Sequence, residues 1–500
     1  PRSMLDTLQR PGDYIQGQFL KTSSPDDSLR ILSPADQADV VSEHDVSIAH
    51  VDRAVVAASE AGPAWRKLGV EQRRALLRKY QERCRVHEDA IAETIARESG
   101  KPLWDSRGEA KALAGKVDLM LGEGASYTAD KEFEDLPGAI RHRALGVVAV
   151  IGPFNFPAHL ANGQMVPALL HGNTVVFKPS EKTPSAAVYM ARCFDEAGFP
   201  PGVVNIVQGA AESSKALVDH EDVDAILFTG SVAVGKLILA ANAHRPGRMI
   251  ALELGGKNAS IVLDDADLDR AVNQIAFAAF ASAGQRCTAT SRVYATAGVI
   301  DELGKRLASR AAQVKVGHPM DDVFMGPLID ERSRSALGEA VGRAREAGYE
   351  ALESGGGFEL DGRSGWYVRP SVHRAPSGDA RVDGYSHDEL FGPDVAIYPI
   401  TDIDEGIERA NGTRYGLAAA LFTAERAVFE DAASRLQAGV CHWNQSTAGA
   451  SGRLPFGGIG DSGNHRAAGI LAGRFCAWPQ AVRFEPAKDS PLPTWPGFGG

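Results

Sequence analysis

Cysteine is scarce in this chain of 500 residues, and the few cysteines are scattered. There are five of them, an odd number, and no two form a Cys-x-x-Cys pair; they are Cys84, Cys193, Cys287, Cys441 and Cys476. A set of this kind excludes a disulfide framework and lacks the spacing of a zinc site. We therefore expect no metal site, and thiols that stay reduced in the cytoplasm.

Long hydrophobic runs and clusters of positive charge are also absent. No run of about 18 uninterrupted apolar residues occurs, which argues against a transmembrane helix. Residues Pro1 to Met4 lack an apolar signal core and are interpreted as an expression remnant before a native Met4. With 53 basic and 64 acidic residues the formal charge is −11, which argues against nucleic acid or an anionic membrane as a partner.

The composition is that of a folded protein, with 44% hydrophobic and 23% charged residues. A chain of 500 residues exceeds one ordinary core, so two or three domains are expected. Residues up to Leu121 read as helical, with one helix from Glu71 to Ser99 and another from Asp105.

From Gly146 onward, strands and helices are predicted to alternate. The predicted buried strands are Gly146–Ile151, Asn173–Phe177, Val203–Val207, Ala225–Phe228, Ile250–Leu254 and Ser260–Leu263. The predicted helices are Ser185–Ala197, Ser213–Asp219, Ala233–Ala243 and one that begins at Asp267. This rhythm is typical of parallel β-α units whose sheet is covered on both faces, so the fold class is α/β.

Two strand ends have residues suited to a dinucleotide. Gly230 and Gly235 lie between a strand and a helix, where backbone N–H groups and the helix dipole favour phosphate, although a turn built for packing explains them equally. Lys178 and Glu181 follow another strand, where they suit ribose hydroxyls, with a solvated loop as the alternative. A carboxylate there would repel a 2′-phosphate, which favours NAD over NADP.

A thiol, a carboxylate and an amide are candidates for catalysis. Cys287 follows a helix predicted at Ala276–Ala283, and Arg286 beside it would favour the thiolate, although most cysteines are small buried hydrophobes. Glu253 ends an apolar strand, where burial would raise its pKa toward that of a general base, unless the strand is an edge that faces solvent. Asn155 could donate to an oxyanion or cap the following helix.

Seven motifs taken together resemble the aldehyde dehydrogenase superfamily. In chain order they are Pro153-Phe-Asn-Phe-Pro157, Lys178-Pro-Ser-Glu181, Phe228-Thr-Gly-Ser231, Leu252-Glu-Leu-Gly-Gly-Lys257, Gly284-Gln-Arg-Cys287, Glu389-Leu-Phe-Gly-Pro393 and Pro455-Phe-Gly-Gly-Ile-Gly460. They span nearly the whole chain. The resemblance implies a Rossmann-like NAD-binding domain (1–130 and 146–255), an α/β catalytic domain (256–455), a small β oligomerisation element (131–145 and 473–490) and an irregular tail (491–500).

The same resemblance implies residue roles. Cys287 would be the nucleophile that forms a thiohemiacetal and, after hydride transfer to the nicotinamide, a thioester. Asn155 and the Cys287 N–H would form the oxyanion hole, and Glu253 would activate the hydrolytic water. The cofactor residues would be Lys178, Ser180, Glu181, Gly230, Ser231, Gly235, Glu389 and Phe391. NAD is the expected cofactor with NADP not excluded, and a homodimer or homotetramer is the expected assembly.

A finer resemblance predicts an acidic aldehyde as substrate. The segments His159–Ala168, Asn444-Gln445, Gly460–Arg466 and Phe475–Pro479 resemble the N-succinylglutamate 5-semialdehyde dehydrogenases of arginine catabolism. Carboxylates are held best by arginine forks or backbone nests. Arg286, His159 and Arg453 are therefore candidates for the pocket mouth, although each is also explained as a surface or supporting residue.

Other functions fit parts of the pattern. A succinate- or glutamate-semialdehyde dehydrogenase is the nearest alternative. A CoA-acylating dehydrogenase is disfavoured by Glu253, because such enzymes typically lack that base. A non-enzymatic protein on the same scaffold has no chemical need for Cys287, Glu253 and Asn155 together, since fold alone does not fix function.

Overall fold

The computed structural model describes residues 10–377, 381–484 and 495–497. The first elements are β1 (Asp13–Ile15), β2 (Gln18–Leu20), β3 (Asp27–Ser33), β4 (Asp36–Val46), α1 (Ala49–Lys67), α2 (Val70–Val86), α3 (Glu88–Ser99), α4 (Leu103–Leu121), α5 (Glu123–Ser126), β5 (Lys131–Glu132) and β6 (Gly138–Ala144). Then follow β7 (Val147–Ile151), α6 (His159–Leu170), β8 (Thr174–Lys178), α7 (Ser185–Glu196), β9 (Val204–Ile206), α8 (Ala211–Asp219), β10 (Ala225–Thr229), α9 (Val232–Asn242) and β11 (Met249–Glu253).

The second half continues the alternation of strands and helices. Its elements are β12 (Asn258–Val262), α10 (Leu268–Phe280), β13 (Thr290–Thr296), α11 (Ile300–Ala312), α12 (Glu331–Glu346), β14 (Glu350–Glu353), β15 (Gly356–Gly357), β16 (Val368–Arg369), β17 (Ser371–Arg374), β18 (Asp394–Ile400), α13 (Ile403–Asn411), β19 (Tyr415–Gly416), β20 (Ala418–Phe422), α14 (Arg426–Arg435), β21 (Val440–Trp443), β22 (Pro455–Phe456), β23 (Ile459–Gly460), β24 (Ala468–Gly469) and β25 (Ala477–Arg483). Short 3-10 helices lie at Ala281–Gly284 and Ala472–Phe475.

The first large sheet has seven strands in the order β11-β10-β7-β8-β9-β1-β2. The five strands from β11 to β9 run parallel, and they are the strands predicted between residues 146 and 254. Every residue of β7, β8 and β9 is buried, as short apolar runs covered on both faces require. The predicted α/β class is confirmed, and the β1-β2 hairpin extends the sheet in antiparallel fashion.

The second large sheet has the order β14-β17-β18-β13-β12-β20-β21, and only β14 is antiparallel to its neighbour. The expected strand at Ser260–Leu263 is β12, displaced by one or two residues. The expected helix start is confirmed, because the Asp267 carboxylate caps α10 by accepting a hydrogen bond of 3.0 Å from the N–H of Arg270.

The two large sheets meet end to end. Glu253 is the last residue of β11 in the first sheet, whereas Cys287 and Glu389 precede β13 and β18 in the second. The N–H of Gly256, in the link between the sheets, donates to Glu389 at 3.1 Å. Side chains at the carboxyl end of the first sheet therefore face side chains at the amino end of the second.

A smaller antiparallel sheet has the order β25-β6-β5. Its strands lie within the two segments expected to form a small β element, and β25 pairs with β6 from Ala477 opposite Ala144 to Arg483 opposite Gly138. Of the irregular tail predicted at 491–500, only residues 495–497 belong to the described part of the chain.

Three local predictions are wrong. The segment from Glu71 to Ser99 forms two helices, because the backbone leaves helical geometry at His87 (φ −96°, ψ 9°). The helix predicted to reach Ala283 ends at Phe280, because Ser282 and Ala283 adopt left-handed backbone angles (φ 53° and 54°). The first quarter is not all helical: β1 to β4 precede α1, and they are stabilised by their pairing rather than by a regular local pattern.

Candidate active site

Cys287 lies in a turn that is clamped between the two sheets. Its carbonyl oxygen accepts a hydrogen bond of 2.8 Å from Asn258 Nδ2, which also donates to the Ala289 carbonyl at 2.9 Å. A Cβ at Gly256 would stand 2.7 Å from the same Cys287 oxygen, so a side chain there would displace the turn. The backbone that presents the thiol is thus held by the hydrogen bonds of Asn258 on β12 and by its close approach to Gly256.

The thiol of Cys287 is protonated at neutral pH in this arrangement. Burial raises the pKa of Cys287 to about 12, and the nearby carboxylates of Glu389 and Glu253 add to the effect. Arg286 lowers this pKa, but it is the weakest of the named influences. The predicted activation by Arg286 is therefore outweighed by burial, and addition to an aldehyde needs an acceptor for the thiol proton.

Glu253 is a buried carboxyl at the end of β11. Its side chain is only 8% exposed, and neither carboxyl oxygen has a partner among the described residues. Burial raises the pKa of Glu253 well above its ordinary value, and the nearby N–H of Ala468 acts in the opposite direction. β11 is an edge strand, but this side chain does not face solvent, so the environment expected of a general base is present.

Asn155 is buried and points toward the turn that holds Cys287. Its Nδ2 donates to the Gln285 carbonyl at 2.9 Å, which leaves the second amide hydrogen for another acceptor. The alternative role as a helix cap is excluded, because Glu109 Oε1 accepts from the N–H groups of Ala158 and His159 at the start of α6. Of its two predicted roles, donation to an oxyanion is the one left open.

The loop after β8 is a fixed turn. Lys178 is buried, and its Nζ donates to the carbonyl oxygens of Pro179 and Gly209, the latter at 2.7 Å. Burial lowers the pKa of Lys178 to about 8, and Glu181 acts in the opposite direction. Ser180 is buried as well. The solvated loop considered as an alternative is therefore excluded for Lys178 and Ser180.

The turn after β10 leaves a helix amino terminus open to solvent. Ser231 is exposed and caps α9, its Oγ accepting a hydrogen bond of 3.3 Å from the Val234 N–H. Gly230 donates its N–H to the Glu253 carbonyl at 3.1 Å. A Cβ at Gly235 would stand 2.9 Å from Leu254 Cδ2, so this glycine serves helix–strand packing. The end of the helix at Ser231 is accessible to a pyrophosphate, which a dinucleotide site requires.

Glu389 and Phe391 lie in the segment that precedes β18. Glu389 Oε1 accepts the Gly256 N–H, and burial raises the pKa of Glu389 to about 7. A Cβ at Gly255 would stand 1.9 Å from the Glu389 carboxylate, so this contact also requires glycine. Phe391 has a left-handed backbone (φ 51°), and its ring packs edge-to-face on Phe154 with centroids 5.8 Å apart.

The three residues predicted to bind the substrate have different environments. Arg286 Nη2 donates to both oxygens of Asp105 at 2.9 Å. Arg453 is exposed and donates through Nε to Glu123 at 3.0 Å. His159 Nδ1 is buried with no partner among the described residues. The two arginines thus have acidic partners within the chain, and their role toward the substrate stays a prediction.

Sequence reasoning missed Lys116, a buried lysine on α4. It is 8% exposed, and its neighbours on the same helix face, Leu113, Val117 and Met120, are buried as well. The available signal was the spacing, because a lysine three residues from Leu113 falls on the apolar stripe of the helix. Asn258 was also missed, since its contact with the catalytic turn joins residues far apart in the chain.

The described ranges contain neither a membrane-spanning helix nor a cluster of metal-ligating side chains. No helix in them is long and apolar enough to cross a membrane. No group of three or more histidine, cysteine, aspartate or glutamate side chains in them could hold a metal ion.

A sequence model of the aldehyde dehydrogenase family matches residues 19–481. This chain therefore belongs to the aldehyde dehydrogenase family. Among curated proteins, it is 39% identical over 439 residues to an N-succinylglutamate 5-semialdehyde dehydrogenase of Novosphingobium aromaticivorans, covering 87% of this chain and 92% of that protein.

Solved structures agree with this assignment. An aldehyde dehydrogenase of Bacillus cereus solved with NAD⁺ has a TM-score of 0.90 at 30% identity, with 96% of this chain and 98% of that chain covered. Aldehyde dehydrogenase C of Pseudomonas syringae, a mutant solved with NAD⁺ and octanal, has a TM-score of 0.89 at 31% identity, with 97% and 98% covered. The protein is an enzyme, an NAD(P)-dependent aldehyde dehydrogenase.

Proposed function

We propose that this enzyme oxidises N-succinyl-L-glutamate 5-semialdehyde to N-succinylglutamate with NAD, by way of a thioester on Cys287. The observation that supports the hydrolytic reaction is the buried carboxyl of Glu253, whose oxygens have no hydrogen-bond partner of normal geometry among the described residues and which lies within electrostatic reach of the Cys287 thiol. The choice of substrate is supported by the name of the relative that is 39% identical. On this proposal the enzyme acts in arginine breakdown, in a cytoplasm that keeps its cysteines free.

The chain's own groups account for the chemistry. The Cys287 sulfur adds to the aldehyde carbon while the thiol proton passes to water. The second amide hydrogen of Asn155 and the Cys287 N–H stabilise the oxyanion that forms. NAD, when bound, accepts the hydride whose loss converts the thiohemiacetal into a thioester. Glu253 then takes a proton from the water that attacks the thioester, which releases the carboxylate and restores the sulfur.

The residues around the two strand ends fit a dinucleotide. Lys178, Ser180 and Glu181 would hold the adenosine ribose, and Ser231 with Gly230 would hold the pyrophosphate at the open helix terminus. Glu389 would hold the nicotinamide ribose, with Phe391 beside it. Gly235 would contribute by letting α9 approach Leu254.

We propose a division of the chain into three functional parts. Residues 1–130 and 146–255 would bind NAD, residues 256–455 would complete the catalytic site, and 131–145 with 473–490 would join subunits. The large sheets have separate hydrophobic cores, which supports the first division. The exposed Trp478 on β25 supports the last, in a homodimer or homotetramer. The molecular mass measured by light scattering tests the assembly.

The relative kcat/KM values for different aldehydes test the proposed substrate. We expect N-succinylglutamate semialdehyde to exceed succinate semialdehyde, glutamate semialdehyde and butanal on the order of 100-fold, because each carboxylate clamp adds a charge-assisted contact. NADH absorbance measures all four rates. A flat profile, or a preference for one of the other three aldehydes, would keep the mechanism and reject this substrate.

Replacement of Glu181 by alanine is expected to raise kcat/KM with NADP relative to NAD by about tenfold, because a repulsion of about 1 kcal/mol or more against a 2′-phosphate is removed. Initial rates with each cofactor at saturating aldehyde measure the change. The matched control is Glu339→Ala, an exposed glutamate on α12. An unchanged ratio in the Glu181 variant would remove this residue from cofactor selection.

A further inference from the structure

Lys116 is a buried cation for which the described residues provide no acidic partner. Its Nζ donates to the Gly469 carbonyl at 2.9 Å, and among the described residues no carboxylate lies within ion-pair distance of it. A buried ammonium is costly when it has no counter-charge, and burial lowers the pKa of Lys116 to about 8. An ammonium has three N–H donors, so two remain for another acceptor.

Gly163 and His159, both on α6, lie beside Lys116. Gly163 on α6 has no side chain, and a Cβ there would stand 3.7 Å from Lys116 Cε, with no other atom within 4 Å. A larger residue at this position would fill the space beside the lysine. One helical turn earlier lies His159, whose Nδ1 is buried without a partner. Burial, together with the charges of Lys116 and Lys101, lowers the pKa of His159 to about 4, so the imidazole is neutral.

Of the segments beside Lys116, one brings the buried thiol of Cys476 close to it, and two others lead to the catalytic base. Gly469 follows Ala468, the residue whose N–H lies close enough to Glu253 to lower its pKa. Gln164, next to Gly163, donates to Thr229 Oγ1 at 3.2 Å, and Thr229 is paired with Glu253 across β10 and β11. Lys116 is therefore linked to Glu253 through two short series of neighbouring residues.

The other buried cations near His159 are already neutralised. Arg286 is bonded to both oxygens of Asp105, and Lys101 is paired with Glu109. Neither has a free charge for a ligand. Lys116 is the cation in this cluster for which the described residues provide no counter-charge.

We propose that Lys116, together with His159 and the open space at Gly163, binds a carboxylate of the substrate and so determines the preference for acidic aldehydes. The inference rests on the proposed oxidation of an acidic semialdehyde, and it identifies Lys116 as the side chain that recognises the negative charge of that substrate. The lysine would supply two N–H donors and a positive charge, and the neutral imidazole would supply a further hydrogen bond.

The test is the ratio of kcat/KM for N-succinylglutamate semialdehyde to that for butanal. We expect Lys116→Met to lower this ratio by roughly 30- to 100-fold, the usual effect of losing a charge-assisted contact. Lys111→Met, on the exposed face of the same helix, is the matched control and is expected to keep the wild-type ratio. An unchanged ratio in Lys116→Met would overturn the proposal.

A second variant and a binding measurement separate recognition from folding. Gly163→Leu leaves the lysine in place but fills the space beside it, and it is expected to lower the same ratio. Titration calorimetry with the product N-succinylglutamate should show weaker binding to both variants, and equal affinity to wild type would count against the pocket. If the wild-type enzyme itself does not prefer acidic aldehydes, the proposed substrate class fails; if it does and neither variant changes the ratio, only the role of Lys116 fails.

Discussion

Replacement of Cys287 by serine is expected to lower aldehyde oxidation by roughly 10⁴-fold or more while NAD binding is retained. Burial already raises the pKa of the Cys287 thiol to about 12, and a hydroxyl at the same place is a still weaker acid and a poorer nucleophile. The fold should tolerate the change, because the contacts of Asn258 are with backbone carbonyls and serine is close in volume to cysteine.

NADH formation measures the loss, and quenching of tryptophan fluorescence on titration with NAD measures cofactor affinity. Cys441→Ser is the matched control, since Cys441 is half-buried on β21, where its Sγ contacts the Ala438 carbonyl. Turnover within tenfold of wild type in the Cys287 variant would reject the nucleophile assignment. Loss of NAD binding in that variant would instead indicate a disturbed fold.

The parts of the fold that were predictable are those whose residues are buried on every side. β7 and β8 are continuous apolar runs, and such runs appear directly in the sequence. By contrast, β4 mixes buried and half-exposed positions over 11 residues and is stabilised by pairing with β3, which no local pattern reveals. The break at His87 was missed for a similar reason, because the apolar spacing continues across it from α2 into α3.

The candidate site likewise has some features that a local sequence pattern reveals and others that depend on long-range contacts. The sequence located Glu253 because a carboxylate at the end of an apolar strand is conspicuous, and its burial is confirmed. It could not show that Arg286 is engaged by Asp105, a residue 181 positions away, nor that Glu109 caps α6 in place of Asn155. These partners are set by the packing of α4 against the catalytic turn, and long-range pairing of this kind leaves no periodic signal.

Replacement of Glu253 by glutamine is expected to preserve a pre-steady-state burst of NADH and to lower the steady rate by about 10²- to 10³-fold. Glutamine has the size of glutamate but cannot accept the proton of the hydrolytic water. Stopped-flow absorbance measures both phases. Glu339→Gln, at an exposed glutamate on α12, is the control and is expected to keep the wild-type ratio of burst to steady rate.

The pH dependence of the steady rate gives an independent measurement of the same role. Burial raises the pKa of Glu253 well above its ordinary value, and only the deprotonated form can act as a base. The wild-type rate should therefore rise as pH increases through that raised pKa. This rising limb of the pH profile should be missing in Glu253→Gln. A variant that keeps the limb would assign it to another group, such as Glu389, whose pKa is raised to about 7.

The burst also identifies the acceptor of the thiol proton. With a pKa near 12, Cys287 must lose its proton during addition, and either water or Glu253 can receive it. If the burst persists in Glu253→Gln at its wild-type rate, water is the acceptor and Glu253 acts only in thioester hydrolysis. If the burst disappears, Glu253 acts already in the addition step, and the role assigned to it here is too narrow.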